Sequence, residues 1–208
     1  MTDATSATAS SLILTSIFAA ALIASMLLKF WLASRQIRHV AKHRAAVPAA
    51  FAQRITLDAH HKAADYTIAQ AKFGLLELAW GTVLTVAWTL LGGLSLLNAT
   101  LLQWIPSSLA QQVALLTSFM VVGAVLDLPF VLYRTFVLEQ RFGFNKTTVS
   151  LWLKDLFKST VLGALIGLPI ITLVLWMMGA TGSLWWLWTW GLWMGFNLLM
   201  LLVYPTWI

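Results

Sequence analysis

Two histidines in this 208-residue chain have a spacing that suits metal chemistry. His39 and His43 stand four residues apart, so a helix would place both on one face, as the two zinc ligands of an H-E-x-x-H motif are placed. The second motif position is occupied by Val40, not by the glutamate that would act as general base. Lys42 and Arg44 flank His43, and neighbouring cations disfavour the binding of another cation. We therefore predict a basic helix here and no metal site.

The other metal-binding side chains give no better arrangement. His60 and His61 are adjacent, so a helix directs them to different faces and they make a poor ligand pair. The chain contains no cysteine, which excludes disulfide bonds and cysteine-based metal sites. We expect no cofactor bound by this chain alone.

Two carboxylates lie inside apolar stretches, where charge is costly. Asp127 is followed two residues later by Pro129, and Glu77 lies near the start of another apolar stretch. Carboxylates at membrane depth usually face a bundle interior or a water-filled cavity. Two interpretations stay open for each. Asp127 lines a cavity or hydrogen-bonds a neighbouring helix, and Glu77 lines a cavity or reaches interfacial water, Lys72 or Arg134.

The composition identifies the class of protein that must position these groups. Hydrophobic residues make up 60% of the chain and charged residues only 10%, whereas soluble domains carry about 25% charged residues. Twelve of the thirteen lysines and arginines lie in 34–73 and 134–159, and Lys29 lies just before the first of these segments. Basic clusters between apolar stretches are typical of cytoplasmic membrane loops, not of a nucleic-acid-binding surface. The sequence therefore predicts an integral membrane protein with the lipid bilayer as its partner and no nucleic acid.

Five apolar stretches are long enough to cross a bilayer as helices, which needs about 20 residues each. They cover residues 11–33, 74–97, 113–133, 160–178 and 184–204. Backbone groups in lipid must be satisfied internally, so the fold class is an all-α polytopic membrane protein. The positive-inside rule places 34–73 and 134–159 in the cytoplasm, the N-terminus outside and the C-terminus in the cytoplasm. We treat 1–208 as one membrane domain.

The two basic segments are predicted to contain cytoplasmic amphipathic helices. Residues 34–45 continue the first helix, Pro48 interrupts it, and a second helical stretch runs from about Ala49 to Phe73.

A polar segment, EQRFGFNKTTVSLWLKD (139–155), separates the third and fourth apolar stretches. We expect Gly143 to let the backbone turn after the third helix. Asn145 or Thr147 would then cap a short amphipathic helix that begins near Val149.

Three stretches together resemble the CAAX prenyl proteases, a family of membrane zinc endopeptidases. HHKAADYTIAQAKFG (60–74) is similar to a cytoplasmic segment of the family with a Lys-Ala-x-x-Tyr core. FVLEQRFGFNKTTVSLWLKDLFK (136–158) is similar to the Gly-Phe-Asn loop of the family, and YPTWI (204–208) to the segment that leads toward the catalytic domain. The positions that match the motifs are Lys62, Ala63, Tyr66, Arg141, Gly143, Phe144, Asn145, Thr148, Trp152 and Asp155.

The resemblance implies a fold and a function as expectations. The chain would be the N-terminal five-helix membrane domain of a bacterial-type member, in the bacterial inner membrane, truncated before the H-E-x-x-H motif. In the complete family member, zinc is held by two histidines of that motif and a later glutamate, and a downstream catalytic domain supplies them. Since H-E-x-x-H is absent from these 208 residues, no catalytic or metal-binding residue is assigned and the chain alone is predicted to be inactive. Glu77 and Asp127 are candidate chamber-lining residues.

Two function hypotheses follow. In the first, the chain is the membrane domain of a prenyl protease-like metalloendopeptidase, supplying part of an intramembrane chamber wall for the proteolysis of prenylated or membrane-associated peptides. In the alternative, it is a non-enzymatic membrane scaffold, assembly partner or small transport subunit. The motif positions act in either case as structural supports, since they hold no metal-binding or nucleophilic arrangement.

Overall fold

The computed structural model describes the backbone of residues 2–106 and 108–207, and the side chains of residues 10–49, 51–106 and 108–202. Within these residues every regular element is helical. The YPTWI stretch (204–208) lies outside the residues whose side chains are described.

Seven α-helices account for most of the residues that the structure describes. They are α1 (Thr2–His43), α2 (Leu57–Thr89), α3 (Gly93–Leu102), α4 (Leu109–Tyr133), α5 (Gln140–Phe142), α6 (Val149–Ala180) and α7 (Trp185–Trp207). A π-helical segment, Arg134–Glu139, joins α4 to α5, so that one helical rod runs from Leu109 to Phe142. Short 3-10 turns cover Ala49–Phe51 and Gly182–Leu184.

Length and apolar composition make the fold that of a polytopic membrane protein. Among the described residues, three helical segments can cross a bilayer, namely Ser10–His43, Leu109–Phe142 and Val149–Ala180. A fourth is obtained if α2 and α3, which meet at a bend, count as one span. The predicted all-α membrane fold is thereby confirmed.

The helices continue further than hydropathy predicts. The stretch before residue 74, which was predicted to be cytoplasmic, and the following apolar stretch form one helix, α2, which begins after Thr56. Thr56 Oγ1 accepts a hydrogen bond from the amide of Ala59 at 3.2 Å and so caps that helix. In the same way, the amphipathic stretch that begins at Val149 is not a separate helix but the first part of α6.

The predicted span 74–97 is interrupted by two glycines. Gly92 has φ = +78°, a left-handed conformation that favours glycine. At Gly93 a Cβ atom would lie 2.7 Å from the backbone oxygen of Ala87, so a side chain cannot fit without backbone movement. The chain therefore turns between Thr89 and Gly93, where it packs closely against the preceding helix.

The chain divides into two compact units. Unit 1 contains residues 1–94 and 127–146, and unit 2 contains residues 95–126 and 147–208. The buried core of unit 1 is Phe73, Leu138 and Phe142, with Tyr66, Ala69 and Phe130 packed around it. In unit 2 the amide of Gln111, which is buried, donates a hydrogen bond to Asn98 Oδ1 at 2.6 Å.

Candidate functional site

An aromatic seam joins α2 to the end of the α4 rod. Its α2 side chains recur every seven residues, which keeps them on one helix face over about four turns. They are Tyr66, Phe73 and Trp80. Their ring partners are Phe142 for Tyr66, Tyr133 for Phe73 at 5.0 Å, and Phe130 for Trp80 at 5.5 Å between centroids. The seam fixes the rotation of α2 against this rod within unit 1.

At one end of the seam, two sequence motifs meet. The ring of Tyr66 lies edge-on to Phe142 at 5.3 Å and to Phe144 at 4.7 Å between centroids. On the preceding turn of α2, Lys62 Nζ lies 3.7 Å from the position that a Cβ atom of Gly143 would take. The Lys-Ala-x-x-Tyr stretch therefore packs directly against the Phe-Gly-Phe stretch. We call this arrangement of Lys62, Tyr66, Phe142, Gly143 and Phe144 the motif clasp.

The backbone conformation of Gly143 directs the Gly-Phe-Asn loop toward α2. Gly143 adopts φ = +78° and ψ = 19° at the end of α5, the left-handed conformation of a helix C-terminal glycine. The backbone oxygen of Glu139 accepts hydrogen bonds from the amides of Phe144 at 2.9 Å and Asn145 at 3.3 Å. The predicted turn at Gly143 is confirmed, and the loop after it is tied back to the helix that it leaves.

The cap of the next helix differs from the prediction. Thr148, not Asn145 or Thr147, precedes α6, and its Oγ1 accepts a hydrogen bond from the amide of Leu151 at 3.3 Å. The amide of Asn145 donates to the preceding helix, which places that residue before the extended part of the loop. Thr148 has the extended conformation that an N-cap needs, with ψ = 155°.

Glu77 and Arg134 form an ion pair that also joins α2 to the rod. The Glu77 side chain is 27% exposed and the Arg134 side chain 46% exposed. The guanidinium carbon of Arg134 lies 5.9 Å from the ring centroid of Phe73, so the cation is held against the aromatic seam as well. Of the partners considered for Glu77, the structure shows Arg134.

Histidines make hydrogen bonds at the corner between α1 and α2. His43 Nδ1 donates to the backbone oxygen of His39 at 2.8 Å, and His60 Nε2 donates to the backbone oxygen of His43 at 3.1 Å. The second bond occupies a carbonyl that the end of α1 leaves without a helical partner. Arg44 and Asp65 add an exposed ion pair of 2.6 Å at the same corner.

The residues present do not fit a zinc site. No group of three or more His, Cys, Asp or Glu side chains in the described part of the chain is placed to hold a metal ion. A protein zinc site needs at least three such ligands.

The remaining motif positions lie outside the clasp contacts. Ala63 is exposed on α2, and Arg141 is exposed with its guanidinium carbon 5.8 Å from the Phe142 ring centroid. Trp152, half-buried, and Asp155, exposed, lie on α6 in unit 2.

Asp127 differs from Glu77 in its surroundings. It is exposed on α4, and it makes no hydrogen bond or ion pair to any residue that the structure describes.

The sequence reasoning missed Phe142 and the aromatic seam. Phe142 is only 9% exposed and belongs to the buried core of unit 1. The seven-residue spacing of Tyr66, Phe73 and Trp80 was the available signal. Hydropathy does not reveal this spacing, because it treats every residue of an apolar stretch alike.

Comparisons with known proteins identify the family to which the chain belongs. Residues 36–208 match the family described as CAAX prenyl protease N-terminal, five membrane helices. CAAX prenyl protease 1 of Saccharomyces cerevisiae is 33% identical over 167 residues, which cover 74% of this chain and 36% of that protein. The CAAX prenyl protease 1 homolog of Mus musculus is 27% identical over 202 residues, covering 92% of this chain and 42% of that protein.

A solved structure shows the same fold. The crystal structure of S. mikatae Ste24p superposes with a TM-score of 0.81 at 25% sequence identity, covering 89% of this chain and 44% of that chain. The chain thus spans less than half the length of these relatives. On the family match over residues 36–208, the chain belongs to the CAAX prenyl protease N-terminal family of five-helix membrane domains.

Proposed function

We propose that this chain is the membrane domain of a zinc metalloendopeptidase that cleaves prenylated or membrane-associated peptides. Its helices form part of the wall of an intramembrane chamber. The family match over residues 36–208 supports this assignment. Because the 208 residues contain no H-E-x-x-H, the proposal assigns zinc binding and peptide cleavage to a catalytic domain supplied by further residues or by a second protein.

The observation that carries the proposal is the motif clasp. The residues that resemble the family are distant in sequence, yet Tyr66 contacts Phe144 across 78 positions at 4.7 Å between ring centroids. Each aromatic pair contributes about 0.5–1.5 kcal/mol beyond its buried area. The clasp therefore holds the Gly-Phe-Asn loop in a fixed position without supplying any reactive group. In this proposal the loop is a rigid support for the catalytic part.

The proposal includes a topology. The N-terminus lies outside, segments 34–73 and 134–159 lie in the cytoplasm, and the C-terminus lies in the cytoplasm of a bacterial cell, with the five spans in the plasma membrane. The distribution of basic residues supports it. Because the chain has no cysteine, single cysteines report the topology cleanly. A membrane-impermeant maleimide should label Ser108→Cys in intact cells and Lys146→Cys only after permeabilisation, and the reverse pattern would overturn the orientation.

Glu77 and Asp127 are proposed to line the chamber. The exposure of Asp127 on α4, without a partner in the described residues, favours a cavity-facing position over packing within this chain. The ion pair of Glu77 with Arg134 gives that carboxylate a structural role as well.

The function is tested by supplying the missing catalytic part. The chain would be co-expressed with the part of the Saccharomyces cerevisiae relative that lies beyond its match to this chain, and cleavage of a farnesylated peptide would be measured in membranes. We expect cleavage that a zinc chelator abolishes, and none from the chain alone, which should also bind no stoichiometric zinc. The relative itself, split at the corresponding position, is the positive control.

Two results would contradict the proposal. One is zinc-dependent cleavage by the purified chain alone. The other is an inactive combination when the split relative is active and both parts reach the membrane. A Tyr66→Ala variant should lower cleavage by the combination, whereas Phe157→Ala, at an exposed position on α6, should leave it unchanged.

A further inference from the structure

A groove between α1 and α2 has a polar and an apolar end. It encloses about 360 Å³ and belongs to unit 1. Leu22, Met26 and Lys29 line it from α1, and Glu77 and Gly81 are among its residues on α2. A volume of roughly 300–1,000 Å³ is typical of sites that hold a small molecule.

The charges of the groove leave one cation without a partner. Glu77 is already neutralised by its ion pair with Arg134. Lys29 is exposed and forms no ion pair or hydrogen bond with any described residue. The groove therefore carries a single uncompensated positive charge, which suits one anionic group.

The threonines of the groove cannot replace Lys29 as donors. The hydroxyl of Thr82 donates to the backbone oxygen of Leu78, and that of Thr85 donates to the backbone oxygen of Gly81, both at 2.8 Å. Each hydroxyl has only one proton to give. Ser25 adds a neutral hydroxyl to the lining, so the ammonium of Lys29 is the charged donor that remains to bind an anion.

The depth of Lys29 along α1 indicates which anion it meets. The apolar stretch from Leu12 to Leu28 rises ~25 Å at 1.5 Å per residue, close to the bilayer hydrocarbon core of about 30 Å. Trp31 follows, with the guanidinium carbon of Arg35 5.6 Å from its ring centroid, and tryptophan and arginine mark a membrane interface. Lys29 therefore lies at the level of lipid phosphates, and Leu22, two turns earlier, lies among acyl chains.

The groove has free space beside Gly81, where a lipid acyl chain would lie. A Cβ atom on Gly81 would meet no atom within 4 Å. We propose that the groove binds one anionic phospholipid, with its phosphate on the ammonium of Lys29 and an acyl chain along Gly81 and Met26. The inference concerns a lipid ligand and stands apart from the protease function.

The test measures lipid retention by the purified full chain. Native mass spectrometry would be run after exchange into detergent micelles that contain dioleoylphosphatidylglycerol, dioleoylphosphatidylcholine or soluble glycerol 3-phosphate. We expect one retained phosphatidylglycerol per chain, and at least tenfold lower retention of the other two. Equal retention of phosphatidylcholine, saturable binding of glycerol phosphate alone, or a lipid-free dimer with the groove covered would overturn the proposal.

Matched variants separate the site from general lipid contact. Lys29→Gln should lower phosphatidylglycerol retention at least tenfold, Lys29→Arg should keep it, and Lys158→Gln, at an exposed basic position on α6, should leave it unchanged. Gly81→Leu fills the free space and should also abolish retention, whereas Gly163→Leu, likewise with no atom within 4 Å of its Cβ, should not. If Lys29→Gln does not fold, the comparison of Gly81→Leu with Gly163→Leu tests the site. Full retention of phosphatidylglycerol by Gly81→Leu then refutes it.

Discussion

Gly143 offers a quantitative test of how the loop is held. An L-residue in the left-handed conformation costs roughly 1–2 kcal/mol, and Gly143 has φ = +78°. The new Cβ atom would lie 3.7 Å from Lys62 Nζ, an ordinary contact, so no steric clash adds to this cost. Replacing glycine also lowers the conformational entropy of the unfolded chain, which raises the free energy of unfolding by about 0.4–1 kcal/mol. Gly143→Ala should therefore lower the free energy of unfolding by about 1 kcal/mol, and Gly143→Asn by less, because asparagine tolerates this conformation.

The measurement is equilibrium unfolding of the purified chain in mixed micelles with increasing sodium dodecyl sulfate, followed by far-ultraviolet circular dichroism. Gly92→Ala is the control for backbone strain, because Gly92 shares φ = +78° and its Cβ would meet no atom within 4 Å. Gly123→Ala, in the helical part of α4 and equally open, should be neutral or stabilising by up to about 1 kcal/mol. A Gly143→Ala variant as stable as Gly123→Ala, or a Gly143→Asn variant less stable than Gly143→Ala, would exclude the left-handed backbone as the source of the loss.

Three further predictions concern contacts of the site. A double-mutant cycle with Tyr66→Leu and Phe144→Leu should give a coupling energy of about 0.5–1.5 kcal/mol in the same unfolding assay, and a coupling near zero would show that the 4.7 Å ring contact does not hold the loop. Thr148→Ala should destabilise the chain by about 1 kcal/mol through loss of the α6 cap, whereas Thr148→Ser should keep most of that stability, and equal losses would exclude the cap as the cause. Glu77→Gln should cost about 1 kcal/mol, kept low because the Arg134 side chain is 46% exposed. Arg134→Gln should cost less in the Glu77→Gln background than in the unmodified chain, and additive losses in the double variant would argue against the ion pair.

Hydropathy was sufficient to predict which parts of the chain form long apolar helices. The apolar stretches lie in long helices, and the polar segment around Gly143 is a turn. These features could be read from sequence because transfer of side chains into lipid depends mainly on composition.

The limits of helices were harder to predict, because they depend on backbone hydrogen bonds. The i to i−4 bonding pattern of a helix is the same in water and in lipid, so a change of solvent does not by itself end a helix, and α6 runs from Val149 to Ala180 without a break. The interruption between Thr89 and Gly93 arises from backbone conformation instead, within a stretch of uniform hydropathy.

The motif clasp was only partly predictable. The family resemblance selected Lys62, Tyr66, Gly143 and Phe144, but it gave no reason for them to touch. Their contact follows from the pairing of α2 with the rod that ends at Phe142, a long-range relation. A single sequence carries no direct signal for such pairing.

The π-helical segment Arg134–Glu139 has a consequence for the direction of the loop. A π turn contains about one more residue than an α turn, since its hydrogen bonds join residues five apart. Each residue of an α-helix advances about 100° around the axis. The extra residue therefore rotates Phe142 and Gly143 around the rod axis, away from the positions that an uninterrupted α-helix from Leu109 would give them. Removing a single residue from this segment would leave the composition and length of the span almost unchanged. It would nevertheless rotate the end of the rod by more than a quarter turn and carry Phe142 away from Tyr66.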